Sequence, residues 1–264
     1  MKITLIIATY NWVEALDLVL ESVQKQSVLP DEILIADDGS KESTRELIST
    51  WKIKSKVPIT HVWQEDKGFR LAEIRNKAIA KAQYEYIIQI DGDIVLHKDF
   101  VKDHKRFAEK NCFITGSRVL LMEKTTLRVF EDRKINFGFF TKGVRNRFNA
   151  LRFPLFNTFF KPQNSPIEKM GYRIRGCNMS FWKQDLLDIN GYDEGFVGWG
   201  REDTDVVFRL IKKGCYRKKI KLALIQFHLY HKEHSKENLE ANHKLMERTL
   251  SNESYRIKNG IVKS

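Results

Sequence analysis

Three carboxylates follow a tryptophan held between two glycines in the run Gly198-Trp199-Gly200-Arg201-Glu202-Asp203-Thr204-Asp205. Carboxylates this close repel one another, which pushes one pKa upward into the range where a side chain can take a proton from a hydroxyl. The glycines free the backbone to swing, and the indole offers a flat apolar face to a ring-shaped ligand. One reading is therefore a general base beside a platform. The other is that Glu202, Asp203 and Asp205 start a helix over residues 204–213, where acidic side chains complement the helix dipole. These eight residues alone leave both open.

A second acidic pair, Asp91 and Asp93 around Gly92, ends an apolar run. Two carboxylates one residue apart at a strand terminus can reach a hard divalent cation together. A calcium loop is excluded, because Ile94, Val95 and Leu96 are apolar where oxygen ligands would be needed. Asp37-Asp38-Gly39-Ser40 falls between a strand-like and a helix-like run. There Asp38 or Ser40 caps the helix, or a carboxylate accepts from the N3 hydrogen of a uracil ring while the backbone at Thr9, Tyr10 and Asn11 meets the same base. Arg75 either reaches a diphosphate or is a surface arginine. His228, His231 and His234 follow a strand-like run, and neutral imidazole suits manganese and similar metals. Asp93 with His231, or second with His228, makes a metal site that diphosphate oxygens and water would complete; a solvated charged tail accounts for the histidines equally well.

The elements that must position these residues alternate. Residues 3–8, 32–36, 59–63 and 86–90 read as strands, and 13–26, 41–51 and 71–82 as helices, the order of a parallel sheet with crossover helices. In such sheets ligands bind beyond the carboxyl ends of the strands, where the residues at 9–11, 37–40 and 91–93 fall. After residue 107 the alternation fades. It resumes with a strand over 175–181, helices over 183–188 and 204–213, a strand-like run at 222–227 and a charged tail with a helix near 237–250.

At 264 residues, 42% hydrophobic and 30% charged, the chain has a soluble globular composition and can bury a core. The N-terminal apolar run is too short for a signal peptide or a membrane span, which predicts a cytoplasmic protein. Cys112, Cys177 and Cys215 are far apart without C-x-x-C spacing, which argues against a zinc site or disulfide framework. A net charge of +12 implies an anionic partner: nucleic acid, an anionic membrane surface or a phosphate-bearing substrate. Residues 118–161 concentrate Arg128, Arg133, Lys134, Lys142, Arg145, Arg147, Arg152 and Lys161 among phenylalanines at 130, 137, 139, 140, 148, 153, 156, 159 and 160. Such a segment either lies on anionic lipid or packs its rings inward.

Together, the residues at 3–11, the loop 37–40, Arg75-Asn76 and Asp91-Gly92-Asp93 resemble the nucleotide-sugar half of family 2 glycosyltransferases with the GT-A fold. The runs 175–181, 189–194 and 198–205 resemble the acceptor half of β-1,4-galactosyltransferases and bacterial chondroitin-type polymerases. The resemblance implies an α/β Rossmann-like mixed sheet with flanking helices, one compact domain carrying a basic aromatic insertion. Its parts would be a nucleotide-sugar half at 1–110, a linking strand and insertion at 111–170, an acceptor half at 171–231 and a charged tail at 232–264. It implies inverting transfer of a hexose or N-acetylhexosamine from a UDP-sugar to a glycan or lipid-linked acceptor, with Asp203 as base. Ala8, Thr9, Tyr10, Asn11, Asp38, Arg75, Asp91 and Gly92 would bind the donor nucleotide. Glu202 and Asp205 would bind sugar hydroxyls and Trp199 would stack on the donor or acceptor, with Gly200 and Asn178 also on the sugar-binding side; Asp93 and His231 would hold Mn2+ or Mg2+, with Asp91 and His228 as further candidate ligands. Where the galactosyltransferases carry methionine three residues before the metal histidine, this chain carries His228. Two alternatives are a sugar nucleotidyltransferase, which wants a Gly-rich basic first loop that residues 9–12 lack, and a nucleic-acid-binding protein. The latter leaves the carboxylates unexplained, so no nucleic-acid partner is expected.

Overall fold

The computed structural model describes residues 1–159, 174–232 and 235–263. Phe160, Lys161 and His234 lie outside the described residues. β1 (Ile3–Thr9) and β2 (Glu32–Asp37) are buried at every position, as expected of parallel strands covered on both faces. With β3 (Ile59–Trp63) and β4 (Tyr86–Asp91) they form a parallel set in the order β3-β2-β1-β4. Past β4 lies β9 (Met179–Trp182), antiparallel to β4 and to β6 (Cys112–Thr115), and β10 (Tyr216–Lys219) closes that edge parallel to β6. The mixed sheet thus has seven strands among the described residues. A smaller sheet orders β5 (Ile94–Leu96), β11 (Gln226–His228), β7 (Val119–Leu121) and β8 (Val144–Arg145).

Helix α1 (Val13–Gln24) explains how the two sheets join. Leu16, Val19, Leu20 and Val23 pack into the core of the large sheet, while Ala15 and Leu18 join Val95, Val119 and Phe227 of the small one. Its apolar surface is wider than a single stripe because it has two partners. α2 (Glu42–Lys54) buries little beyond Thr44 and Ile48, whereas α3 (Leu71–Lys81) buries Ala72, Ile74, Ala78 and Ile79 against the other face of the large sheet. Further on come α4 (Phe100–Phe107), α5 (Glu123–Asp132), α6 (Lys183–Asp188), α7 (Glu202–Lys213) and α8 (Leu239–Ser251). α8 packs along α7, and the last residues strap back: Asn190 Nδ2 donates to the carbonyls of Ile257 and Val262, and its Oδ1 accepts from Val262 N.

Several expectations are corrected. The strand expected over 175–181 begins only at Met179, because residues 176–178 turn. The run 222–227 is extended only from Gln226, since Leu222 and Leu224 hold positive φ of 53° and 52°. Neither Asp38 nor Ser40 caps α2; Ser40 Oγ instead accepts from Asn11 N at 2.8 Å. In the basic insertion Phe137 turns inward, with its ring centroid 5.0 Å from that of Phe227. Phe140 and Phe148 stay 89% and 69% exposed, so the rings of the insertion do not all pack inward. The three cysteines are free and buried. Among the described residues, no helix is long and apolar enough to cross a membrane.

Candidate active site

The chemistry-bearing loops meet where β1, β2 and β4 end. Gly92 N donates to Ala8 O at 2.6 Å and Asp38 N to Thr9 O at 3.0 Å, which stitches the three strand ends together. A Cβ on Gly92 would lie 2.9 Å from Ala8 O and 3.0 Å from the Thr9 side chain, so only glycine permits this approach. Tyr10 is half-exposed over the cleft, and its hydroxyl donates to Asp66 Oδ2 at 2.9 Å. Burial raises the Asp38 carboxyl above its ordinary value, against the opposing bonds it accepts from Arg70 N and Gln64 Nε2.

Arg75 stands at the centre. Its guanidinium is buried and donates through Nη1 to Asp203 Oδ1 at 2.8 Å and Glu202 Oε1 at 3.3 Å, and through Nη2 to Asp91 Oδ1 at 3.1 Å. Burial works against its charge, but the carboxylates, Asp203 foremost, outweigh it and hold Arg75 firmly protonated. Three carboxylates against one guanidinium leave negative charge in surplus, and a proton is the simplest relief. Glu202 takes it: burial, then repulsion from Asp203, pushes its carboxyl up to about 8, with Arg75 opposing. Burial raises Asp91 as well, Arg75 again opposing and Asp93 adding to the rise. Asp203 is fixed from its other side by Gly176 N, which donates to Oδ2 at 2.7 Å.

Beside this network Asp93, His228 and His231 bring one ligand atom each within 4.8 Å of one another. Nδ1–H of His228 donates to Leu229 O and that of His231 to Lys232 O, both at 2.7 Å. With Nδ1 carrying a proton, each Nε2 is left facing Asp93 Oδ2, at 3.5 Å and 3.2 Å, where a second proton or a bound cation would satisfy both groups. A backbone carbonyl fixing the far nitrogen is the usual second shell of a metal-bound histidine. Asp93 Oδ1 is buried without a hydrogen-bond partner. Burial opposes the charge of Asp93, yet His228 and His231 outweigh it and lower its pKa, while the hydrogen bond to Asp93 raises that of His231. The donor set fits a divalent cation of intermediate softness.

The structure brings Ala8, Thr9, Tyr10, Asn11, Asp91, Gly92 and Asp93 to the carboxyl ends of β1 and β4, joins Asp91 to Glu202 and Asp203 through Arg75, and sets His228 and His231 against Asp93, while Trp199 is exposed with Lys236 stacked on its indole at 5.7 Å. It moves others away from ligands. Asn178 is buried, its amide donating to Ser117 O and Leu224 O and its Oδ1 bonded to His104, so it shapes the wall and grips no sugar. Asp205 is fully buried in an ion pair with Arg209 and accepts from Thr249, which removes it from the acceptor grip. Arg75 spends both terminal nitrogens on carboxylates rather than on a diphosphate. Sequence reading missed Gly176, Asn76, Tyr192 and His104. Asn76 clamps the backbone of Tyr192 in both directions, at 2.8 Å and 2.7 Å, and the pair Arg75-Asn76 with the runs 175–181 and 189–194 were the visible signs.

Comparison with known proteins adds a second line. A model of glycosyl transferase family 2 matches residues 4–167, and one described as the N-terminal domain of galactosyltransferase matches residues 163–233. Chondroitin synthase of Escherichia coli is 27% identical over 88% of this chain and 34% of its own length. A validoxylamine A glucosyltransferase of Streptomyces hygroscopicus subsp. limoneus is 26% identical over 80% of this chain and 48% of its own. The chain therefore spans less than half the length of these relatives. Among solved structures, residues 1–349 of S. aureus TarS in complex with UDP superpose with a TM-score of 0.63 at 18% identity, over 96% of this chain and 66% of that one. The mannosyltransferase PcManGT from Pyrobaculum calidifontis, in complex with GDP-Man and Mn2+, gives 0.58 at 17% identity, over 88% and 58%. The fold is shared.

Proposed function

Because this chain belongs to glycosyl transferase family 2, we propose that it moves a hexose or N-acetylhexosamine from a UDP-sugar to a hydroxyl of a bacterial cell-envelope polysaccharide or lipid-linked glycan, with inversion at the anomeric carbon. The observation that carries this reading is the buried guanidinium of Arg75, which ties Asp91 at the donor end of β4 to Asp203 at the start of α7. Asp203 takes the acceptor hydroxyl proton as the oxygen bonds to the anomeric carbon and the bond to UDP breaks. Held through Arg75 on one oxygen and Gly176 N on the other, its carboxylate keeps one orientation toward the cleft. Glu202, neutral below about pH 8, can donate to a sugar oxygen as well as accept. Trp199 offers the stacking face.

Asp93, His228 and His231 are the residues that would hold a divalent ion, Mn2+ or Mg2+. When bound there it supplies positive charge against the departing diphosphate, an effect worth several kcal/mol. Support for a UDP donor comes from TarS, solved with UDP and with UDP-GlcNAc. The enzyme would work at the inner face of the cytoplasmic membrane, where the exposed rings of Phe140 and Phe148 beside Lys142, Arg145 and Arg147 suit an anionic lipid surface.

The test is UDP release from a panel of UDP-sugars with manganese or magnesium, with and without EDTA, in the presence of oligosaccharide acceptors. Release with at least one donor and its loss in EDTA are expected. Release unaffected by EDTA sinks the metal role, and no release with any pair sinks the transferase reading.

A further inference from the structure

With Arg75 committed to three carboxylates, the anionic part of a nucleotide donor needs another cation in the cleft. Arg118 stands immediately before β7. The parallel register pairs Val119 with Phe227 and Leu120 with His228, so Arg118 lies level with Gln226. Val119 and Phe227 turn into the small sheet's core; by strand alternation Arg118, Gln226 and His228 share the opposite face, the one that carries His228 to Asp93. The loop behind Arg118 is anchored, because Asn178 Nδ2 donates to Ser117 O at 2.7 Å and Asn149 Nδ2 to Arg118 O at 3.1 Å.

Three buried polar atoms on this face lack partners: Arg118 Nε, Gln226 Oε1 and Asp93 Oδ1. Gln226 is fully buried, and its Nε2 is turned to Cys177 Sγ at 3.3 Å. Among the described residues the Arg118 guanidinium has no ion-pair partner and makes no hydrogen bond. A half-buried arginine on the same face as the metal-type cluster, with no carboxylate paired to it and its Nε buried without a partner, is suited to receive an anion, and its fork of N–H donors matches phosphate oxygens.

We propose that Arg118 is a further donor-binding residue, receiving the diphosphate oxygens of the nucleotide-sugar beside the Asp93–His228–His231 cluster. The inference rests on the UDP-sugar reading above. An anion on Arg118 would also be supplied by the carboxylate of a hexuronic acid sugar, so the test separates the two sources.

Binding of UDP, uridine, UDP-glucose and UDP-glucuronic acid is measured by calorimetry in EDTA, where no divalent ion contributes, for wild type, Arg118→Gln and Arg118→Lys. The expected result is a loss of about 10- to 100-fold in affinity of Arg118→Gln for all three diphosphates, unchanged affinity for uridine, and an intermediate loss for Arg118→Lys. Unchanged UDP affinity in both variants overturns the assignment. So does an equal loss for uridine, which marks a purely structural role, or a loss confined to UDP-glucuronic acid. Should Arg118→Gln not fold, the Arg118→Lys ratio of UDP to uridine affinity decides alone. Wild type that binds neither UDP nor uridine would instead sink the donor reading itself.

Discussion

Arg75 carries one positive charge among Asp91, Glu202 and Asp203, and that imbalance sets what each carboxylate can do. A carboxylate that accepts from Arg75 and from Gly176 N is oriented for proton transfer, so Asp203→Asn should keep UDP affinity within about twofold while transfer falls by about 10²–10⁴-fold. Calorimetry with UDP and a transfer assay check the two halves separately, and equal activity would remove Asp203 from its role. Glu202 makes a different forecast. It releases its proton near 4.5 in the ordinary carboxyl and only near 8 when folded, so the folded chain holds a proton that the unfolded chain gives up in between. Its contribution to stability is complete below the lower value and is lost as pH rises through the upper one. Melting temperatures taken from pH 5 to 8 should therefore fall more steeply for wild type than for Glu202→Gln, which has no proton to lose; parallel curves would contradict the assignment.

At the scale of elements, the base is set by the turn that precedes β9 as much as by α7. A Cβ on Gly176 would overlap the Asp203 carboxylate, and the same residue's N–H holds that carboxylate. Gly176→Ala should consequently displace Asp203 and cut transfer by at least about tenfold, roughly the effect of one charged hydrogen bond, with the far-ultraviolet circular dichroism of the sheet unchanged; wild-type turnover would refute it. The general positions of the early elements were legible, since fully buried parallel strands read as unbroken apolar runs and α1 and α3 show helical spacing. The late elements were less so. Leu222 and Leu224 are apolar and look strand-like, but their left-handed backbone breaks extension. Glu202 begins α7 two residues before the expected start, because Arg201, at φ of 80°, lets the chain turn into the helix there. The two first readings of the acidic cluster are therefore compatible: the helix start and the candidate base are the same residues.

Over the whole molecule, the small sheet brings His228 on β11 beside the end of β4, and the basic insertion hangs from that same sheet through Phe137. Composition could state that the insertion is cationic and aromatic; only folding separates Phe137, inside, from Phe140 and Phe148, outside. Replacing both exposed rings by aspartate should reduce sedimentation with phosphatidylglycerol vesicles by about tenfold or more at low salt, while the melting temperature stays within about 2 °C. Undiminished sedimentation, or none for wild type, would dismiss the membrane surface as partner.

What the sequence determined by itself was the chemistry: which carboxylates and imidazoles follow which strands, and hence the fold class and the character of the cleft. Those features are local, written in apolar period, glycine placement and motif order. The tertiary structure decided the use of each charge. Asp205, Asn178 and Arg75 look like ligand-binding groups in one dimension, but burial forces each to find a partner within the protein, because an unpaired polar or charged group away from water is costly. The same rule exposed Arg118, whose type is unremarkable in sequence and whose lack of a partner appears only when β7 pairs with β11.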